Sequence, residues 1–107
     1  MTNIQFDQVE LFKALSNEAR LKILYWLKDP TTHFDTQRQG IEEMNEVGVC
    51  VSQIRDKLGM NQSTTSQYLA TLQRAGLVEA TRIGKWTYYK RNERLIHELA
   101  NFIGTKL

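Results

Sequence analysis

Residues 53–76 leave this chain few ways to fold. Ile54 and Leu58 stand four apart, so a short helix carries both on one face. Gly59 follows, at a position past a helix end where a left-handed residue is cheap only for glycine. Asn61 can cap a second helix by accepting from the free amides of its first turn. That helix opens on Gln62, Ser63, Thr64, Thr65, Ser66, Gln67 and Tyr68, with its apolar residues, Leu69 and Leu72, further along. Its leading turns are polar, uncharged and able both to donate and to accept hydrogen bonds. Alone, such a helix start reads more simply as a solvated amphipathic surface than as a DNA-reading one.

Gly76 takes the position past the end of the long helix, and Leu77 can fold back on Leu72. The pattern then changes from helical to a period of two. Residues 78–83 and 86–91 flank Gly84-Lys85, a two-residue loop with glycine first, suited to a type II′ hairpin. That register sets Glu79 opposite Lys90, a favourable cross-strand pair, and Ile83 opposite Trp86. Arg82 pairs with Thr87 and Ala80 with Tyr89, so the hairpin tip carries Arg82, Lys85 and Trp86. Tyr88 and Tyr89 point to opposite faces.

At the N-terminal end, Ile4, Val9, Leu11, Phe12 and Leu15 have helical spacing over residues 4–15. Ser16 is the expected cap of a second helix over residues 17–28, with Glu18 in the first turn, where the helix dipole favours a carboxylate. Leu21, Ile23, Leu24, Tyr25, Trp26 and Leu27 wrap most of its circumference, the pattern of a core helix. By the same reading Phe12, Tyr25 and Trp26 are core residues rather than a cofactor pocket. Asp29-Pro30 ends the helix. Residues 29–48 are the least regular part, an acidic insertion that reads as an extended loop, a hairpin-like excursion or a partly mobile stretch. Val49, Cys50 and Val51 can add a short strand, and Ser52 is the expected cap of the helix from Gln53. The last segment, residues 92–107, has Leu95, Ile96, Leu99, Phe102 and Ile103 in a wide apolar stripe. A domain of 107 residues has one modest core. The stripes of the first and last helices are therefore expected to form a dimer interface.

Charge is unevenly placed. Residues 53–91 carry seven basic and two acidic side chains, net +5, whereas residues 29–47 carry one basic and five acidic, net −4. The two-helix unit and the hairpin are thus the basic part, as a polyanionic partner requires. With 41% hydrophobic and 24% charged residues, the composition is that of a globular domain. No apolar run approaches a membrane span, and the N-terminus lacks the features of a signal peptide, so a cytoplasmic protein is expected.

A two-helix unit with a polar leading turn, a basic-tipped hairpin directly after it and apolar terminal helices together describe a winged helix-turn-helix. The expected fold is mostly α with a small β-hairpin, in one domain over residues 1–107. In that fold the second helix enters the major groove of double-stranded DNA, and the hairpin reaches flanking phosphates or the minor groove. A homodimer places two such helices about one helical turn apart, ~34–36 Å, and implies a near-palindromic operator. An alternative is a winged-helix module for protein–protein contact, without DNA binding. An enzyme is a distant third reading, since no paired carboxylates, nucleophile–base set or phosphate-cradling glycine loop stands in the sequence.

Three stretches carry a family likeness: Ala14-Leu15-Ser16-Asn17-Glu18-Ala19-Arg20-Leu21-Lys22-Ile23-Leu24; Gln62-Ser63-Thr64-Thr65-Ser66-Gln67-Tyr68-Leu69 with Leu72 and Ala75-Gly76-Leu77-Val78; and Arg82-Ile83-Gly84-Lys85-Trp86-Thr87-Tyr88-Tyr89. In these the chain resembles the ArsR/SmtB type of bacterial winged-helix repressor. The resemblance implies a homodimeric transcriptional repressor that leaves DNA when a chemical signal is sensed. It places recognition-helix contacts on Gln62, Ser63, Thr64, Ser66 and Gln67, and wing contacts on Arg82 and Lys85. Tyr68 is a further candidate, able to stack on a sugar or base or to pack on the helix behind it.

The sensing part carries over less well. The family's Cys-Val-Cys motif reads here Cys50-Val51-Ser52, without the second thiolate. On the last helix, where relatives hold zinc-like ions, only His97 and Glu98 are on offer, about 100° apart. Soft metals need several converging thiolates and zinc usually four ligands, so no metal site and no cofactor is expected. Cys50 is a candidate redox or electrophile sensor; the plainer reading is a buried small hydrophobe between Val49 and Val51. His33, with Asp29 or Asp35, reads either as a ligand group or as a solvated loop histidine. The inducer is not legible.

Overall fold

The computed structural model describes residues 7–107. Helix α1 (Gln8–Leu15) starts at Asp7, whose side chain accepts from the Glu10 amide at 3.1 Å. Ile4 lies outside the described residues. Helix α2 (Glu18–Lys28) is capped by Asn17 and not by Ser16: Asn17 Oδ1 accepts from the Arg20 amide at 3.0 Å. Both residue types cap well, but Ser16 closes α1 with ψ 54°, whereas Asn17 has the extended backbone, φ −160° and ψ 129°, that an N-cap needs. Arg20 then reaches back, donating from Nε to the Ala14 carbonyl at 2.7 Å and from Nη2 to that of Lys13 at 3.2 Å. A guanidinium thereby occupies the open carbonyl end of α1.

Helix α2 buries Ile23, Leu24 and Leu27, but its expected all-round burial does not occur. Leu21 is 50% and Tyr25 68% exposed, and Phe12 of α1 is also exposed. One chain of this size supplies neighbours for only one side of each helix. Trp26 is half-buried against the core.

Residues 29–48 are not a loop or a hairpin. They fold into three short helices, α3 (Pro30–His33), α4 (Thr36–Gln39) and α5 (Ile41–Glu46). Pro30 occupies the first turn of α3, where its missing N–H costs nothing, and Asp35 caps α4 by accepting from the Gln37 amide at 2.9 Å. What holds these pieces is tertiary. Phe34 and Met44 are buried in the core, and the Phe34 ring stands edge-on to Trp26 with centroids 6.2 Å apart.

Strand β1 (Val49–Cys50) leads into α6 (Val51–Leu58), which begins before Ser52, so the expected Ser52 cap is also displaced. Cys50 takes the cap position with no side-chain cap bond, and Ser52 Oγ donates to Cys50 Sγ at 3.3 Å. Gly59 ends α6 in the left-handed conformation, and α7 (Gln62–Arg74) follows. The end of α7 is a glycine-terminated stop. The Gly76 amide donates to the Gln73 carbonyl and the Leu77 amide to the Leu72 carbonyl, each at 2.9 Å.

Strands β2 (Val78–Ile83) and β3 (Trp86–Arg91) pair in the register read from the sequence, from Val78 opposite Arg91 to Ile83 opposite Trp86. Gly84 has φ +62°, while Lys85 keeps a negative φ, which excludes a type I′ turn and fits II′. Glu79 does stand opposite Lys90, but Lys90 Nζ instead donates to the Glu46 carbonyl at 3.1 Å, tying α5 to the sheet. Strand β1 adds antiparallel to β3, giving the order β1-β3-β2. Gly48 makes that addition feasible. Its φ is +109°, and a Cβ there would overlap the Tyr89 carbonyl.

Helix α8 (Glu93–Lys106) closes the chain with Leu99 and Phe102 buried. The core joins Leu11, Ile23, Leu27, Met44, Val49, Ile54, Leu69, Leu72, Leu77, Val78 and Leu99 in one cluster, to which α3 and α4 themselves add no buried residue.

Candidate nucleic-acid interface

Thr65, Leu69 and Leu72 are wholly buried, and they fix the roll of α7. Helical geometry then puts Ser63 and Gln67 on the opposite side and Gln62 and Ser66 on its flank, beside α6, and all four are exposed. The first turn is rigidly started. Asn61 Oδ1 accepts from the Thr64 amide at 2.8 Å, and Thr65 Oγ1 donates to the Asn61 carbonyl at 2.9 Å. Thr64 is half-buried at the edge of the open face. Tyr68 packs against the core, with the Arg20 guanidinium 5.9 Å from its ring centroid. It is therefore held toward α2 in the DNA-free structure.

Two side chains on the open face are already connected. Gln62 Oε1 accepts from Arg55 Nη1 at 3.2 Å, and Gln62 Nε2 donates to Ser66 Oγ at 3.1 Å. Arg55 lies on α6 and was not among the residues picked from sequence. The only signal available was a cation seven positions before a polar helix start, which is not distinctive. Farther along α7, Gln73 and Arg74 are also exposed.

The hairpin projects Arg82 and Lys85, both exposed. Arg82 Nε donates to the Gly84 carbonyl at 3.2 Å, and Lys85 Nζ lies 5.9 Å from the Trp86 ring centroid. Both cations have donors left for an anion. Ile83 and Trp86, the pair at the tip, are each about half exposed. The structure thus brings Gln62, Ser63, Ser66 and Gln67 onto one helix face and Arg82 and Lys85 onto one hairpin tip.

Cys50 is half-buried at the wall of a cleft of about 370 Å³ that Arg38, Glu43, Trp86 and Tyr88 also line. Loss of solvent, with the nearby Glu43 carboxylate and Cys50 adding to it, pushes the Tyr88 hydroxyl pKa up. Burial alone does the same to Tyr89. His97 is exposed and Glu98 pairs with Arg94 at 3.4 Å. The His33 ring sits 5.5 Å from that of Tyr25. Among the described residues no group of three or more His, Cys, Asp or Glu side chains could hold a metal ion. Nor is any helix there long and apolar enough to cross a membrane.

Helix, turn, exposed polar helix and cationic hairpin define a winged helix-turn-helix domain. A family model described as "Bacterial regulatory protein, arsR family" matches residues 42–80, which span α6, α7 and the start of the hairpin. The chain is 60% identical over 101 residues to the "Uncharacterized HTH-type transcriptional regulator YbzH" of Bacillus subtilis (strain 168), covering 94% of this chain and 99% of that one. Among solved structures it is similar to a homodimeric winged helix-turn-helix DNA-binding domain from Mycobacterium bovis, a possible ArsR-family regulator. There the TM-score is 0.61 and the identity 31%, over 94% of this chain and 79% of that one. It is also similar to HlyU from Vibrio cholerae, at TM-score 0.59 and 26% identity over 88% and 85% of the two chains. The chain belongs to the ArsR family of DNA-binding transcriptional regulators.

Proposed function

We propose that this protein is a homodimeric transcriptional repressor that binds a near-palindromic operator and releases it on a chemical signal other than a thiolate-bound metal. The observation that carries the reading is the roll of α7: burial of Thr65, Leu69 and Leu72 leaves Gln62, Ser63, Ser66 and Gln67 as a continuous polar, uncharged face. Amide and hydroxyl groups on such a face read base edges in a major groove. Arg82 and Lys85 on the hairpin contact flanking phosphates, which fixes register without reading sequence. Thr64 and Tyr68, both half-buried, are the further DNA contacts at the edge of this face.

Dimerisation uses the apolar residues that α1 and α8 leave uncovered, Val9 and Phe12 on the one and Ile103 on the other. The similar Mycobacterium bovis domain is homodimeric, which supports a dimer here. The protein acts in the cytoplasm, where its DNA is. Cys50 is the one thiol through which an oxidant or electrophile could act.

Hydroxyl-radical footprinting on the DNA upstream of the protein's own gene tests the reading. It predicts two protected windows whose centres lie about one helical turn apart. Protection of a single window, or none, contradicts the dimeric operator.

A further inference from the structure

We infer that Arg55 is a positioning residue for sequence readout, holding the Gln62 carboxamide in the one orientation that reads adenine. The inference rests on the reading that α7 enters a major groove. Arg55 leaves α6 one turn before Gly59, and the left-handed turn there brings it alongside the first residue of α7. Its Nη1 donates to Gln62 Oε1 at 3.2 Å. Arginine has donors only, so the atom it meets must be the oxygen of the amide and not the nitrogen. On the other side, Gln62 Nε2 donates to Ser66 Oγ at 3.1 Å. The two contacts together remove the half-turn flip that a free glutamine amide makes.

Arg55 is itself held. Its Nε and Nη2 both donate to Asp56 Oδ1, at 3.1 and 3.0 Å, and the other oxygen of Asp56 lies 3.5 Å from Arg38 Nη1 on α4. The chain of contacts runs from the acidic insertion to the open face of the recognition helix. Arg55 is partly and Asp56 and Arg38 about half exposed, so the value of these contacts is orientation rather than stability.

A glutamine amide has two acceptor lone pairs and two N–H donors. Arg55 and Ser66 take one of each, which leaves one acceptor and one donor in fixed order. Adenine presents the matching pair in the major groove, its N6 amino donor beside its N7 acceptor, whereas guanine presents two acceptors. Without Arg55 the amide is free to turn and the preference fades.

The test is a set of single-base substitutions in the footprinted half-site, bound to wild type, Arg55→Ala, Arg55→Lys and Gln62→Ala. Wild type is expected to prefer adenine at one position by about tenfold. Arg55→Ala should reduce that preference to within about twofold, leave other positions unchanged, and add nothing further in a double variant with Gln62→Ala. Arg55→Lys keeps the charge but lacks the fork that grips Asp56, and should keep only part of the preference. In the DNA-free protein, NMR of the Gln62 side-chain amide should show restricted motion that Arg55→Ala releases. Equal losses on every sequence, with a salt dependence lowered by about one phosphate contact, would make Arg55 a backbone contact and overturn the inference. So would an unchanged adenine preference in Arg55→Ala. A wild-type protein that binds no duplex overturns the major-groove reading itself, a separate failure.

Discussion

Asn92 Nδ2 donates to the Gly76 carbonyl at 2.9 Å, so the residue that starts the last helix clasps the glycine that follows α7. The same side chain caps α8, its Oδ1 accepting from the Leu95 amide at 3.2 Å, and its backbone amide donates to the Leu77 carbonyl at 2.9 Å. Asn92→Ala removes a cap and a half-buried carbonyl's partner together. It should destabilise the protein by about 1–2 kcal/mol in urea unfolding. A change under a few tenths of that would show that water replaces the clasp.

Of the glycines, Gly48 is the one that neighbouring backbone approaches most closely. Gly48→Ala forces a Cβ against the Tyr89 carbonyl at a φ that alanine avoids. The expected loss is about 2–3 kcal/mol, with weakened protection of the β1–β3 amides in hydrogen exchange. A variant as stable as wild type would mean that β1 need not pair with β3 as closely as it does.

Gln67 and Lys85 differ in kind. Gln67→Ala should weaken binding to the preferred site by about 1–3 kcal/mol and barely affect unrelated duplexes. Lys85→Ala should weaken all duplexes alike and lower the salt slope by about one. The two are separated by titrating each variant against specific and scrambled DNA at several salt concentrations. Identical behaviour of both variants would remove Gln67 from the base-reading face.

Much of this was legible because the rules involved are local. Asn61 before a polar turn, Gly76-Leu77 after Leu72, and Gly84-Lys85 between two alternating runs each act within a few residues, and the helix ends and hairpin register came out as read. The acidic insertion was not legible, because its helices are four to six residues long and depend on distant partners. Phe34 needs Trp26, and Met44 needs the shared core. Gln39, whose Nε2 donates to the Gly48 carbonyl, also accepts from the Cys50 amide at 3.2 Å, across eleven residues. Adjacent cap-forming residues explain the displacement from Ser16 to Asn17. The exposure of Leu21 and Tyr25 was missed because apolar content shows which residues seek cover, not whether a small chain can supply it.

Glu93 gives the protein a small acid-side dependence. Hydrogen bonds from Arg91, Nε at 2.9 Å and Nη2 at 2.7 Å, hold its carboxyl below the usual carboxylate range. A carboxylate whose pKa is depressed by folding contributes stability above its unfolded value, and that contribution is lost as pH falls through the folded value. Wild type should therefore lose more Tm than Glu93→Gln between pH 7 and pH 3. The Glu93 carboxylate is largely open to solvent, so the difference is modest. Parallel Tm curves for the two proteins would contradict the pairing.

The uncovered Ile103 tests the assembly. Ile103→Glu places a charge in the proposed contact between copies, and sedimentation equilibrium should show a shift toward monomer with operator affinity falling in parallel. A variant that stays dimeric would move the interface elsewhere.

In the proposed function α7 and the hairpin read DNA as one unit. Fluorescence anisotropy of the folded protein against its own promoter fragment and a scrambled duplex, at two salt concentrations, tests it most directly. Salt-sensitive binding to both is expected, with a clear preference for the promoter that persists at the higher salt. Failure of a folded, dimeric protein to bind either duplex would contradict it.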